Sequence, residues 1–134
     1  MALPSSIDVA TLKIEDFLHW YKAIFAGDNY DGDTAKFEID LGYHLADRLR
    51  TYRLLGINAP EVNKTETRAA GLKARDYLKF LLEGKPLIID SIKDKADKYG
   101  GRWLGEIWAL QGDGTWLNVN QEMINAGHAV PYNP

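Results

Sequence analysis

Three short segments hold carboxylates and arginines at spacings suited to hard-metal and phosphate chemistry. The first is NYDGDT, residues 29–34, where Asp31 and Asp33 flank Gly32. Asp-Gly between strands is an ordinary hairpin turn. A second acid at the start of a strand also provides a fixed hard-oxygen ligand of the kind Ca²⁺ takes. The second segment is TYRLLGINAPEV, residues 51–62. A strand that delivers Arg53 inward and ends at Asn58-Ala59-Pro60-Glu61 supplies an amide oxygen, a backbone carbonyl and a carboxylate within four residues, with proline fixing the turn that aims them. The plain alternative is a capped strand with surface charges. The third is DKYGGRWLGEI, residues 97–107, in which a Gly-Gly loop precedes Arg102 at the start of a strand. Two arginines from separate strands can clamp one phosphate by bidentate bonds and stabilise charge that builds in phosphoryl transfer. Taken singly, each arginine fits a surface ion pair equally well.

A rival motif overlaps the first segment. Gly32, followed six residues later by Glu38 and preceded by Asn29 and Asp31, nearly satisfies an EF-hand loop. Gly27 stands where the first ligating aspartate belongs, and FEIDLG alternates like a strand where an EF-hand needs a helix. That reading is set aside.

The elements that must position these groups follow from hydropathy patterning. Residues 14–25, IEDFLHWYKAIF, fit either a helix or a strand. FEIDL alternates as a half-buried strand, GYHLADR turns the chain, and LRTYRLLGI reads as the antiparallel return. TRAAGLKARDYLKFLL, residues 67–82, has helical spacing from Ala70 through Ala74, Tyr77, Leu78 and Leu81, and Gly84 stops it. PLIIDSI and RWLGEIWAL are strands separated by a charged loop, QGDG is a tight turn, and LNVNQEMINAG is a second helix. Three strands, a helix, two strands and a helix predict an α+β fold, with five short strands in a closed barrel of the oligonucleotide-binding (OB) type. Trp103, Trp108 and Trp116 are expected in core and rim packing rather than as ligand stackers.

The chain has 134 residues, a length that suits one domain. It reads as a loose leader over residues 1–16 followed by a single domain over 17–134. With no cysteine, neither disulfides nor a thiolate zinc site can form. A net charge of −3 argues against nonspecific duplex binding, which needs many phosphate neutralisations, so a nucleic-acid role requires a local basic surface. No segment reaches membrane-spanning length. The opening MALPSSIDVA carries no signal peptide, so a full-length chain is expected in the cytoplasm; a secreted chain already stripped of its signal would read the same.

In order, DGDT, YRLLGINAPE, GLKARDYL, DKYGGRWLGEI and LNVNQEMINAGHAVPY resemble the staphylococcal nuclease (thermonuclease) family, from about Phe17 to Tyr132. The resemblance implies a Ca²⁺-dependent phosphodiesterase that cuts single-stranded or frayed DNA or RNA as a monomer and leaves 3′-phosphates. It implies that Asp33 and the residue at Asn58 bind the metal, that Ala59 gives it a backbone carbonyl, and that Asp31 is the outer acid. By the same resemblance Glu61 is the base that activates water, Arg53 and Arg102 bind phosphate, and Lys98, Tyr99 and Tyr132 form the nucleotide pocket. The chain departs from the family in three ways. Asn58 stands where an aspartate is usual, which removes one negative charge from the metal site and weakens it. Gly100-Gly101 adds a glycine beside Lys98 and Tyr99, and the chain stops at Pro134 without a further helix. The alternative is a non-catalytic OB-type module that binds nucleic acid or protein and has an impaired metal site.

Overall fold

The alternation read in the sequence builds most of the sheet. The computed structural model describes residues 19–92 and 103–132. Strand β1 (Trp20–Phe25) buries Ala23 and Phe25, and β2 (Thr34–Gly42) buries Ala35, Phe37 and Ile39 on one face. Strand β3 (Leu45–Leu54) turns Tyr52 and Leu54 to the same interior. After a two-residue strand β4 (Ile57–Asn58) come helix α1 (Arg68–Leu82), β5 (Leu87–Ile92) and β6 (Trp103–Leu110). The chain ends with β7 (Trp116–Asn118), helix α2 (Val119–Asn125) and β8 (Val130–Pro131).

The larger sheet runs β3-β2-β1-β5-β6-β7, and a further parallel pairing of β3 with β6 joins the first strand back to the fifth. Five strands thus hydrogen-bond in a ring, with β7 appended to β6. All other neighbours are antiparallel. Phe37, Leu54, Ile89 and Ile107 are fully buried, and Phe37 meets the ring of Tyr52 edge-on at 6.0 Å. Helix α1 buries Gly71, Ala74, Leu78, Leu81 and Leu82, so its inner stripe starts at Gly71 and leaves Ala70 exposed. Asn120, at the start of α2, locks strand to loop: its amide nitrogen donates to the Leu55 and Gly105 carbonyls at 2.9 and 3.0 Å. Its oxygen accepts from the Ile107 N–H at 3.0 Å.

One open reading is settled and several expectations need correction. The ambiguous stretch over residues 14–25 yields a strand from Trp20, its earlier part lying outside the described residues. The turn GYHLADR contracts to Tyr43-His44, both in left-handed backbone conformation with φ of 55° and 61°, and Leu45 already belongs to β3. The return strand does not run on to Ile57. It breaks at Leu55-Gly56, where Gly56 takes φ 80°, and Ile57–Asn58 pairs separately with Val130–Pro131. The first helix therefore follows a fourth strand. The second helix begins at Val119 rather than Leu117, because the Asn118 side chain accepts from the Gln121 N–H at 3.1 Å and caps it. Trp108 is buried and Trp103 and Trp116 are half-buried, as packing residues are. No helix among the described residues is long and apolar enough to cross a membrane.

Candidate functional site

Two loops meet over a patch of small residues on α1. A Cβ added to Gly32 would stand 2.7 Å from the Ala74 Cβ and 2.9 Å from the Ala59 Cβ. One added to Gly71 would stand 2.9 Å from the Pro60 carbonyl oxygen and 3.0 Å from the backbone of Glu61. Only glycine and alanine allow the Asp31–Asp33 loop, the Asn58–Glu61 loop and the helix to approach so closely. Asn29 fastens the first loop, donating to the Arg75 carbonyl of α1 at 2.8 Å and to the Asp31 carbonyl at 3.2 Å. Thr67 and Arg68, at the start of α1, fasten the second by donating to the Glu61 and Val62 carbonyls at 2.6 and 3.0 Å.

Within this junction Asp33 is buried. Its Oδ2 accepts from the Ala59 N–H at 2.9 Å and pairs with Arg53 Nη1 at 3.2 Å, while Oδ1 accepts from the Thr34 hydroxyl at 3.1 Å. Arg53 lies between the inward-facing Tyr52 and Leu54, so strand alternation turns it away from the core rather than inward as expected. Its side chain is nonetheless only 18% exposed. Nη2 donates to the Ile57 carbonyl at 3.2 Å and to Asn58 Oδ1 at 3.4 Å, and the Tyr132 ring centroid lies 5.3 Å from the guanidinium carbon. Asp31 Oδ1 accepts from the Asp33 N–H at 3.1 Å. Burial pushes the Asp31 carboxyl up to about 7, and the adjacent Asp33 adds to this by hydrogen bond and charge. The Asp33 N–H and the Arg53 charge pull the other way.

The structure thus brings together Asp31, Asp33, Arg53, Asn58, Ala59 and Tyr132. Ala59 engages Asp33 through its N–H. Glu61 has a fixed backbone, but its carboxylate is 56% exposed and pairs with Lys64 Nζ at 3.3 Å. Lys98, Tyr99 and Arg102, together with Gly100-Gly101, lie outside the described residues. Among the described residues no three His, Cys, Asp or Glu side chains gather as a metal-holding group. The oxygen-only set of Asp31, Asp33 and Asn58 nonetheless suits a hard cation, because the buried Asp33 and the half-buried Asp31 stand side by side with a single ion pair, that of Asp33 to Arg53, between them. Sequence reasoning missed Asn29, Gly32, Gly71 and Ala74 as the residues that seat the loops. The one available signal was Gly71 itself, since a glycine in a helix interior is costly without a packing reason.

The family model for staphylococcal nuclease homologues matches residues 51–133, and the chain belongs to that family. The matched stretch holds Arg53, Asn58, Glu61 and Arg102; Asp31 and Asp33 precede it. Comparison with curated proteins gives no match.

Proposed function

We propose that the protein is a Ca²⁺-assisted phosphodiesterase that hydrolyses single-stranded or frayed nucleic acid and leaves 3′-phosphates, on a closed barrel of the OB type. The observation that carries this reading is the gathering of Asp33, Asn58 and Arg53: one guanidinium lies 3.2 Å from a buried carboxylate and 3.4 Å from an amide oxygen. Family membership supports a nuclease relationship independently.

In this reading Asp33, Asn58 and the Ala59 carbonyl would hold the cation, with Asp31 hydrogen-bonded to the backbone of Asp33. Bound Ca²⁺ supplies polarisation of a phosphate oxygen and orients the ester. Arg53 presents its Nε–H, which has no protein partner among the described residues, to the phosphate from a largely desolvated position where charge-assisted bonds are strong. Arg102 completes the clamp, and Lys98 and Tyr99 contact the nucleotide. Glu61 exchanges its exposed pairing with Lys64, worth little in water, for a hydrogen bond to a water molecule and takes its proton. The water oxygen attacks phosphorus from the side opposite the 5′ oxygen, the bond from phosphorus to that oxygen breaks, and the 5′ oxygen leaves as a hydroxyl after taking a proton from solvent. No covalent intermediate is needed.

A second reading, a binding module of the same fold without catalysis, is favoured by Asn58, an uncharged amide at a position where an acid would strengthen a cation site. Digestion of denatured DNA in Ca²⁺ and in chelator separates the two, with Glu61→Gln as control. The nuclease reading expects Ca²⁺-dependent cleavage that the variant largely loses. Oligonucleotide binding without cleavage refutes it.

A further inference from the structure

The final strand of the described chain reaches the candidate site by an unusual route. β8 pairs antiparallel with β4, setting Pro131 opposite Ile57 and Val130 opposite Asn58. The next residue, Tyr132, donates its backbone N–H to the Gly56 carbonyl at 2.8 Å. Three consecutive contacts therefore fix the backbone of Tyr132 against the turn that follows Arg53. Its ring lands over the Arg53 guanidinium, 5.3 Å from the guanidinium carbon.

Arg53 is thus held in two different ways. Asp33, the Ile57 carbonyl and Asn58 engage its edge through Nη1 and Nη2. The guanidinium carbon also sits over the Tyr132 ring, 5.3 Å from its centroid. The polar contacts are long, 3.2 to 3.4 Å, and leave the guanidinium room to shift. Packing against the Tyr132 ring narrows that range, and a guanidinium held more closely has less orientational entropy to lose when it meets a bidentate partner. Ile57 and Asn58 contact both Arg53 and β8, so the same two residues carry the seating of the strand to the guanidinium.

We propose that Tyr132 is a positioning residue: the docking of β8 sets its ring on Arg53 and orients the guanidinium for the phosphate, rather than forming a base pocket. This rests on the phosphodiesterase reading for its catalytic consequence, but not for its structural one. The expected cost of losing the ring is about tenfold in kcat, the size of a partly desolvated cation–π contact.

The test uses the whole chain with Tyr132→Leu and Tyr132→Phe. Two readouts are taken: the Arg53 Nε–Hε resonance, identified by its loss in Arg53→Lys, and the kinetics of denatured-DNA cleavage in Ca²⁺. The expected result is that Tyr132→Phe keeps both near the parent. Tyr132→Leu moves the resonance toward that of a solvent-exposed arginine and lowers kcat about tenfold at constant KM. Tyr132→Met serves the same purpose should the leucine variant fail to fold. An unmoved resonance in the leucine variant overturns the proposal, as does a raised KM at constant kcat, which is the signature of a base contact. Phenylalanine behaving like leucine also overturns it, because the hydroxyl would then matter rather than the ring. If the parent cleaves nothing, the phosphodiesterase reading fails while the resonance still decides the role of Tyr132.

Discussion

Gly71→Ala should destabilise this protein, although the same change in an unobstructed helix stabilises one. Replacing a helix-interior glycine with alanine gains roughly 0.5–1 kcal/mol from reduced backbone entropy. At Gly71 the new methyl would sit 2.9 Å from the Pro60 oxygen and 3.0 Å from the carbonyl carbon and oxygen of Glu61. All three are backbone atoms, so no side chain can swing aside. The loop is also pinned by Thr67 and Arg68 and stiffened by Pro60. Overpacking of this kind costs roughly 1–3 kcal/mol. With only backbone atoms to yield, the cost falls at about 2–3 kcal/mol; set against the helix gain the net loss is about 1–2 kcal/mol, which lowers Tm by roughly 3–8 °C at this chain length. Calorimetric or circular-dichroism melts of parent and variant decide it. Because the yielding atoms belong to Pro60 and Glu61, the same variant should cleave nucleic acid more slowly than its stability loss alone explains. A variant that melts at or above the parent temperature would falsify the close approach of helix and loop.

Other perturbations test other parts of the site. Asp31 has a folded-state pKa above its unfolded value, so the folded protein binds the extra proton between about pH 4 and 7 and loses stability as pH rises through that window. Asp31→Asn should therefore stabilise the chelated protein at pH 8 by about 1–2 kcal/mol, discounted for partial exposure, and by little at pH 4; a difference in melting temperature that ignores pH would sink this. Asn120→Ala removes three hydrogen bonds at a buried position and should cost about 2–4 kcal/mol in urea unfolding, a loss below 1 kcal/mol being the contrary result. Asn58→Asp restores a charge beside Arg53 and Asp33, and calorimetric Ca²⁺ titration should show affinity rising roughly tenfold. An unchanged titration would place residue 58 away from the cation.

The sequence alone determined the alternating strands around Phe37 and Ile39, the amphipathic helix ending before Gly84, and the family to which Arg53, Glu61 and the INAPE segment belong, because each is written in a local period or motif. It also marked Asp31, Asp33, Arg53 and Asn58 as candidates. Their mutual distances could not be read there, since 20 residues separate Asp33 from Arg53 along the chain and the pairing of β2 with β3 sets Thr34 opposite Arg53. Three features were decided only by tertiary structure. Arg53 faces away from the core because its neighbours Tyr52 and Leu54 fill it. The two site loops lie where they do because Gly32, Ala59, Gly71 and Ala74 leave no volume between them and the helix. Tyr132 meets a guanidinium 79 residues earlier because β8 finds its partner in β4. Periodicity records which face of an element is apolar; close approach between distant segments depends on the volume left where they meet, and no local pattern encodes that.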